Sequence, residues 1–184
     1  MKLELKKLQH SEFASHETHC FEADIWVDGK KTLFAENEGR GGPNNYSHPV
    51  LKGESYPRCG ELGVTKIIDS IVAEKKGDLR SRYDHWVDEH DNSTLMDTLI
   101  SLMIERKLNE KDLKKDLRKY VLFTNEAGEL MQAKPRSRKV GPEEIKLIRQ
   151  HEDCTAILND MPFEEAYEIV FPTVRVGSEI EGAI

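Results

Sequence analysis

Between Cys20 and Asp28 the chain alternates: Phe21, Ala23, Ile25 and Val27 are apolar, while Glu22, Asp24 and Asp28 are acidic. A period of two places one set on each face of an extended segment, so this stretch predicts a half-buried strand with Trp26 on its polar side. Asp28-Gly29 accepts the positive φ angles of a tight hairpin turn, and KKTLFAEN follows as the return strand. The opening KLELKKLQ, with Leu3, Leu5 and Leu8, predicts a further strand. Together these give an antiparallel three-stranded meander over residues 2–36.

The period then changes. In ELGVTKIIDSIVAEKKG, residues Val64, Ile67, Ile68, Ile71 and Val72 recur at the spacing of one helical face, with Gly77 as the expected stop. A second helix is expected from Thr94 as its cap, with Asp97 facing the positive helix end and Leu95, Leu99, Leu102 and Met103 as its buried stripe. Asn109 reads as a restart, leading into a third helix with Leu113 and Leu117 inward. YVLFT and ELMQA flank NEAG as a second hairpin, with Gly128 in its turn. GPEEIKLIRQ and PFEEAYEIV each place a proline and glutamates at a helix start. Residues 47–60, punctuated by Pro49, Pro57 and Gly60, predict irregular structure.

The sum is an α+β fold. At 184 residues the chain fits one domain: sheet and glycine loop over 1–46, a helical region over 61–119, and a hairpin plus helices over 120–170. Its formal charge of −7 works against a general nucleic-acid binder. No apolar run reaches the roughly 20 residues that span a bilayer, and MKLELKKLQH has no signal-peptide apolar region, so a cytoplasmic protein is expected. Cys20, Cys59 and Cys154 are odd in number and far apart, which fits buried thiols in a reducing compartment rather than a disulfide framework.

Candidate chemistry concentrates in NEGRGGPNNYSHP. Gly39, Gly41 and Gly42 allow backbone amides to converge on an anion, and Arg40 adds a charge-assisted contact, with Asn44, Asn45, Tyr46 and His48 beside it as further ligand or partner contacts. The stretch lacks the lysine and Ser/Thr of a P-loop and does not match GxGxxG, so a turn is the competing reading. KPRSRK carries Lys134, Arg136, Arg138 and Lys139 between a hairpin and a helix, a position suited to phosphate or an acidic protein face. His16, His19, His151 and Cys154 are zinc-ligand types whose paired spacings are incomplete. RSRYDHWVDEHD, if helical, stacks Asp84 with Asp88 and Asp91, and His85 with Glu89. No catalytic set is nameable from spacing, and no cofactor or metal is expected.

The run SHETHCFEADIWVDGKK followed by NEGRGG resembles a family of small phage and prophage accessory proteins, which share an S-E-E-T-x-x-F-x-A pattern, a D-G-K turn and an N-D-G-x-G-G loop. The resemblance covers residues 15–42 and extends more loosely to the later helices, the YVLF hairpin and the ILND segment. It implies a protein without enzymatic activity that binds, and inhibits, a host or defence protein. The alternatives are a nucleotide or phosphate module or phosphate-directed hydrolase built on the glycine loop, and nucleic-acid binding through the basic loop. Self-association is a further possibility that the residues leave open.

Overall fold

The structure, a computed structural model, describes residues 1–49, 61–83, 85–136, 139–151 and 153–172. The fold is α+β, and the chain divides into two compact units, the first running Met1–Glu105 and the second beginning at Arg106.

In the first unit, β1 (Leu3–His10), β2 (Cys20–Val27), β3 (Lys30–Glu38) and β4 (Asn45–Ser47) form an antiparallel sheet in that order. The expected meander is therefore one strand short: Asn45–Ser47 adds to β3 with Ala35 opposite Tyr46. Asp28 and Gly29 both take positive φ, 47° and 81°, as the hairpin required. Leu5, Ile25, Leu33 and Ala35 are buried at one sheet face, because period-two alternation puts them there together. On the other side of β2, Asp24 is buried as well, held by Lys31 at 2.6 Å and Lys7 at 3.5 Å.

Helix α1 (Glu61–Tyr83) runs straight through Gly77, contrary to the expected stop. Leu79 explains this. It is 1% exposed and continues the buried stripe of Ile68, Ile71 and Val72, so burial outweighs the roughly 1 kcal/mol helix penalty of one glycine. The polar aromatic stretch is divided: Arg80–Tyr83 closes α1, Asp84 lies outside the described residues, and Trp86–Glu89 makes a single turn, α2, with Val87 buried. Asp88 there pairs with Arg80 and Lys76, and Trp86 stacks on His90 at 4.0 Å.

Helix α3 (Asn92–Lys119) is one continuous helix, so Asn109 restarts nothing. Nor does Thr94 cap it. Asp91 does, accepting the Thr94 amide at 2.8 Å, and those amide hydrogen bonds hold the Asp91 carboxyl below its usual range. The buried stripe is Leu95, Met96, Leu99, Ile100 and Ile104, with Leu102 and Met103 only half buried. Asp97 is not spent on the helix end either; its carboxylate holds the chain around β4, as shown below.

In the second unit, β5 (Val121–Thr124) and β6 (Leu130–Ala133) form the expected hairpin, with Gly128 at φ 77°. After α4 (Pro142–Arg149), the two-residue β7 (Ala156–Ile157) adds a third strand in the order β6-β5-β7. Helix α5 (Phe163–Val170) packs Ala166 and Tyr167 against Leu113, Leu122 and Leu158. Asn159 serves the end of α3: its Nδ2 donates to Leu117 O and Tyr120 O, and its Oδ1 accepts the Leu122 amide. Among the described residues, no helix is long and apolar enough to cross a membrane.

Candidate functional site

The glycine loop is organised from within by Asn37, the residue that ends its buried stem. Only 8% exposed, its side chain uses every hydrogen-bonding position it has. Oδ1 accepts from the Gly39 amide at 2.7 Å and from the Thr18 hydroxyl at 2.9 Å; Nδ2 donates to Gly42 O at 2.9 Å and to Asn44 Oδ1 at 3.0 Å. Gly39 can only donate there and Gly42 O can only accept, which fixes the orientation of the amide.

From Asn44 the chain of donors continues outward. Asn44 Nδ2 donates to the Tyr46 hydroxyl at 3.1 Å, and that hydroxyl donates to Asp97 Oδ1 at 2.6 Å, while Asp97 Oδ2 accepts the Asn44 amide at 3.2 Å. Burial first, then the neighbouring Asp97 charge, pushes the Tyr46 phenol far above its ordinary 10.0, so it remains a donor. Burial likewise raises the Asp97 carboxyl, against the hydrogen bonds from Tyr46 and Asn44 that favour its charged form. This network is why β4 exists.

A second turn, residues 11–19, is fastened to the same loop. The His16 and Glu17 amides both donate to Gly39 O, at 3.0 and 3.2 Å, and the Gly41 amide donates to the Thr18 hydroxyl at 3.3 Å. Gly39, at φ 82°, tolerates no side chain: a Cβ there would lie 2.2 Å from Ala14 O. Inside the turn, the Ser15 hydroxyl donates to Ser11 O and accepts the Cys20 amide. His10 Nε2 lies 3.2 Å from His19 Nδ1 and 3.3 Å from Ser15 Oγ, and His19 Nε2 is 3.9 Å from Glu105.

The two turns thus present one surface. Phe13, at the tip of the first, is 94% exposed, and Arg40, Gly41, Gly42 and Asn45 of the second are exposed too. Phe13 and Arg40 are the chain neighbours of Ala14 and Gly39, whose backbones touch. Among the described residues Arg40 has no ion-pair partner, whereas Glu17 sets its carboxylate against Gly41. A concavity of about 470 Å³ opens next to this surface, lined by His10, Cys20, Glu22, Glu36, Asn37 and Glu38 among others. An anion there would meet three carboxylates.

The other sequence candidates lie apart. His48 Nε2 is buried without a hydrogen-bond partner among the described residues. His19 pairs with His10 rather than with His16, which is exposed, and His151 lies 3.7 Å from Asp153 in the second unit. No group of three or more His, Cys, Asp or Glu side chains suited to a metal occurs among the described residues. Cys20 and Cys154 are free thiols, and Cys59 lies outside the described residues. Lys134, Arg136 and Lys139 are exposed, and Arg138 lies outside the described residues.

Sequence reasoning missed Phe13, Thr18, Asn37 and Asp97. Phe13 did carry a signal, as a lone large apolar residue in the polar run SEFASHE. Asn37 carried none, because its role rests on partners at positions 18, 39, 42 and 44. No family model, curated protein or solved structure matches this chain.

Proposed function

We propose that the protein acts by binding another protein through the paired turns at residues 11–19 and 38–45, as a phage-type accessory protein that inhibits a host or defence protein. One observation carries this reading: Phe13 is held in water by a turn whose backbone is tied on both sides. An exposed aromatic on a mobile tail would mean little. An aromatic on a pre-ordered turn loses little conformational entropy when a partner buries it, which is the situation of an interface anchor. Arg40, on the neighbouring turn, adds an exposed cation with no ion-pair partner among the described residues.

The same geometry argues against a phosphate cradle at this loop. Of the three glycine amides that such a nest would aim at an anion, those of Gly39 and Gly41 already donate to Asn37 and Thr18, and the Glu17 carboxylate lies against Gly41.

The test is affinity isolation of partners from bacterial lysate with the intact chain and with Phe13→Ala and Arg40→Glu, followed by native mass spectrometry of the recovered complex. A partner held stoichiometrically by the parent chain should be lost with Phe13→Ala and weakened by Arg40→Glu, with thermal midpoints nearly unchanged. Equal recovery by all three chains would sink the proposal.

A further inference from the structure

We infer that the edge of β6, unpaired among the described residues, pairs with the same edge of a second copy of this chain. This rests on the second unit alone and stands independently of the proposed function. β6 is the outer strand of the order β6-β5-β7, and its residues Leu130, Met131 and Gln132 are exposed, Leu130 by 45% and Met131 by 42%. Proteins protect such edges with charge, proline or a covering element. The strand itself, the four residues LMQA, carries neither charge nor proline, although it is short and Lys134 and Pro135 follow it directly.

The hydrogen-bonding polarity of the edge is readable. Along an antiparallel ladder, successive residues direct their backbone groups to opposite sides. The Asn125 amide donates to Glu129 O, which turns Glu129 and Met131 toward β5. Thr124, opposite Leu130, is turned the other way, its carbonyl accepting the Thr155 amide. The N–H and C=O groups of Leu130 and Gln132 therefore face the open edge.

The occupant is identified by charge. Exposed Glu126 and Glu129 precede the strand, and exposed Lys134 and Arg136 follow it. Antiparallel pairing about a twofold axis, with Leu130 of each copy opposite Gln132 of the other, brings the acidic end of one strand to the basic end of its mate twice over. Parallel addition, or an unrelated peptide, has no such reciprocity. Both Leu130 side chains then share the face that bears a concavity of about 150 Å³, lined by Leu113, Leu122, Val170 and Phe171, and cover its apolar floor. The product is a continuous six-stranded sheet across two copies. Two short strands bury little area, so the dimer is a weak one that forms at micromolar or higher concentration.

Sedimentation velocity on the full chain, from micromolar to near-millimolar, reads this directly. The parent chain should shift from monomer to dimer, and Leu130→Lys should abolish the shift while leaving circular dichroism unchanged. Glu129→Lys and Lys134→Glu should each weaken self-association roughly tenfold, since each turns two favourable charge pairs unfavourable. An equimolar mixture of those two variants should dimerise again, because every acidic end then meets a basic one. That mixing result guards against a substitution that merely disturbs the Asn125 turn. A parent chain that stays monomeric throughout, a dimer indifferent to Leu130→Lys, or no recovery on mixing would overturn the inference.

Discussion

Replacing Asn37 by alanine tests the architecture of the candidate surface at its centre. The substitution removes four hydrogen bonds at once, and the cost divides by where each partner is left. The Gly39 amide is buried and donates to Asn37 Oδ1, so its loss costs about 1–3 kcal/mol. The Thr18 hydroxyl and Asn44 amide are half buried and recover part of theirs from water, and exposed Gly42 O recovers most of its own. The sum is about 3 kcal/mol, a large share of the stability of a domain this size. Asn37→Asp keeps both bonds to Oδ1 but turns an acceptor toward Gly42 O and Asn44 Oδ1 and buries a charge beside Glu36 and Glu38, so it should cost at least as much as alanine. Thr18→Val should cost about 1 kcal/mol. Urea unfolding followed by the fluorescence of Trp26 and Trp86 measures all three, and hydrogen exchange at the Gly39 amide locates the effect. A loss below about 1 kcal/mol for Asn37→Ala, or an aspartate that folds as stably as the parent chain, would refute the reasoning.

The remaining predictions address the elements around it. Because burial and Asp97 keep the Tyr46 phenol protonated in the folded chain, its contribution is complete below the unfolded value of 10.0 and is lost as pH rises above it, at about 1.4 kcal/mol per pH unit. Urea midpoints compared between about pH 8 and pH 11 should show that limb flattened in Tyr46→Phe, which at neutral pH loses about 1.5–3 kcal/mol with the bond to Asp97; parallel pH profiles would contradict this. Gly77→Ala, in a helix interior where, among the described residues, nothing beyond the chain neighbours and the helix's own backbone lies within 4 Å of the added methyl, should stabilise by about 1 kcal/mol in the same assay, and a destabilised chain would show that Gly77 does more than interrupt helix propensity.

What the sequence revealed follows the reach of the forces involved. The β2–β3 hairpin, α1, α4 and the β5–β6 hairpin were legible, since period, turn residues and caps act within a few positions. The errors share a cause. At Gly77 and Asn109 a local helix-breaking preference was outvoted, at Gly77 by the burial of Leu79, which only packing decides. β4 and β7 are too short to show a period, and each is pinned from afar: Tyr46 by Asp97, 51 residues away, and β7 by the Thr155 amide on Thr124 O. Asp91 and Thr94 are both acceptable cap residues by type. Only the geometry of the Thr94 amide chooses between them.

The candidate surfaces obey one rule in both units. Where the chain reverses, an asparagine supplies a donor and an acceptor on a short stem: Asn37 in the glycine loop, Asn159 at the end of α3, and Asn125 in the hairpin, whose Oδ1 accepts the Glu129 amide and whose Nδ2 donates to the Glu129 carboxylate. Each spends backbone groups on rigidity that would otherwise be offered to solvent or ligand. A loop that gripped phosphate would need its amides free and its surroundings basic. This loop has its Gly39 and Gly41 amides committed and the Glu17 carboxylate against Gly41, so what it offers is the shape it holds, with Phe13 and Arg40 exposed on an ordered frame.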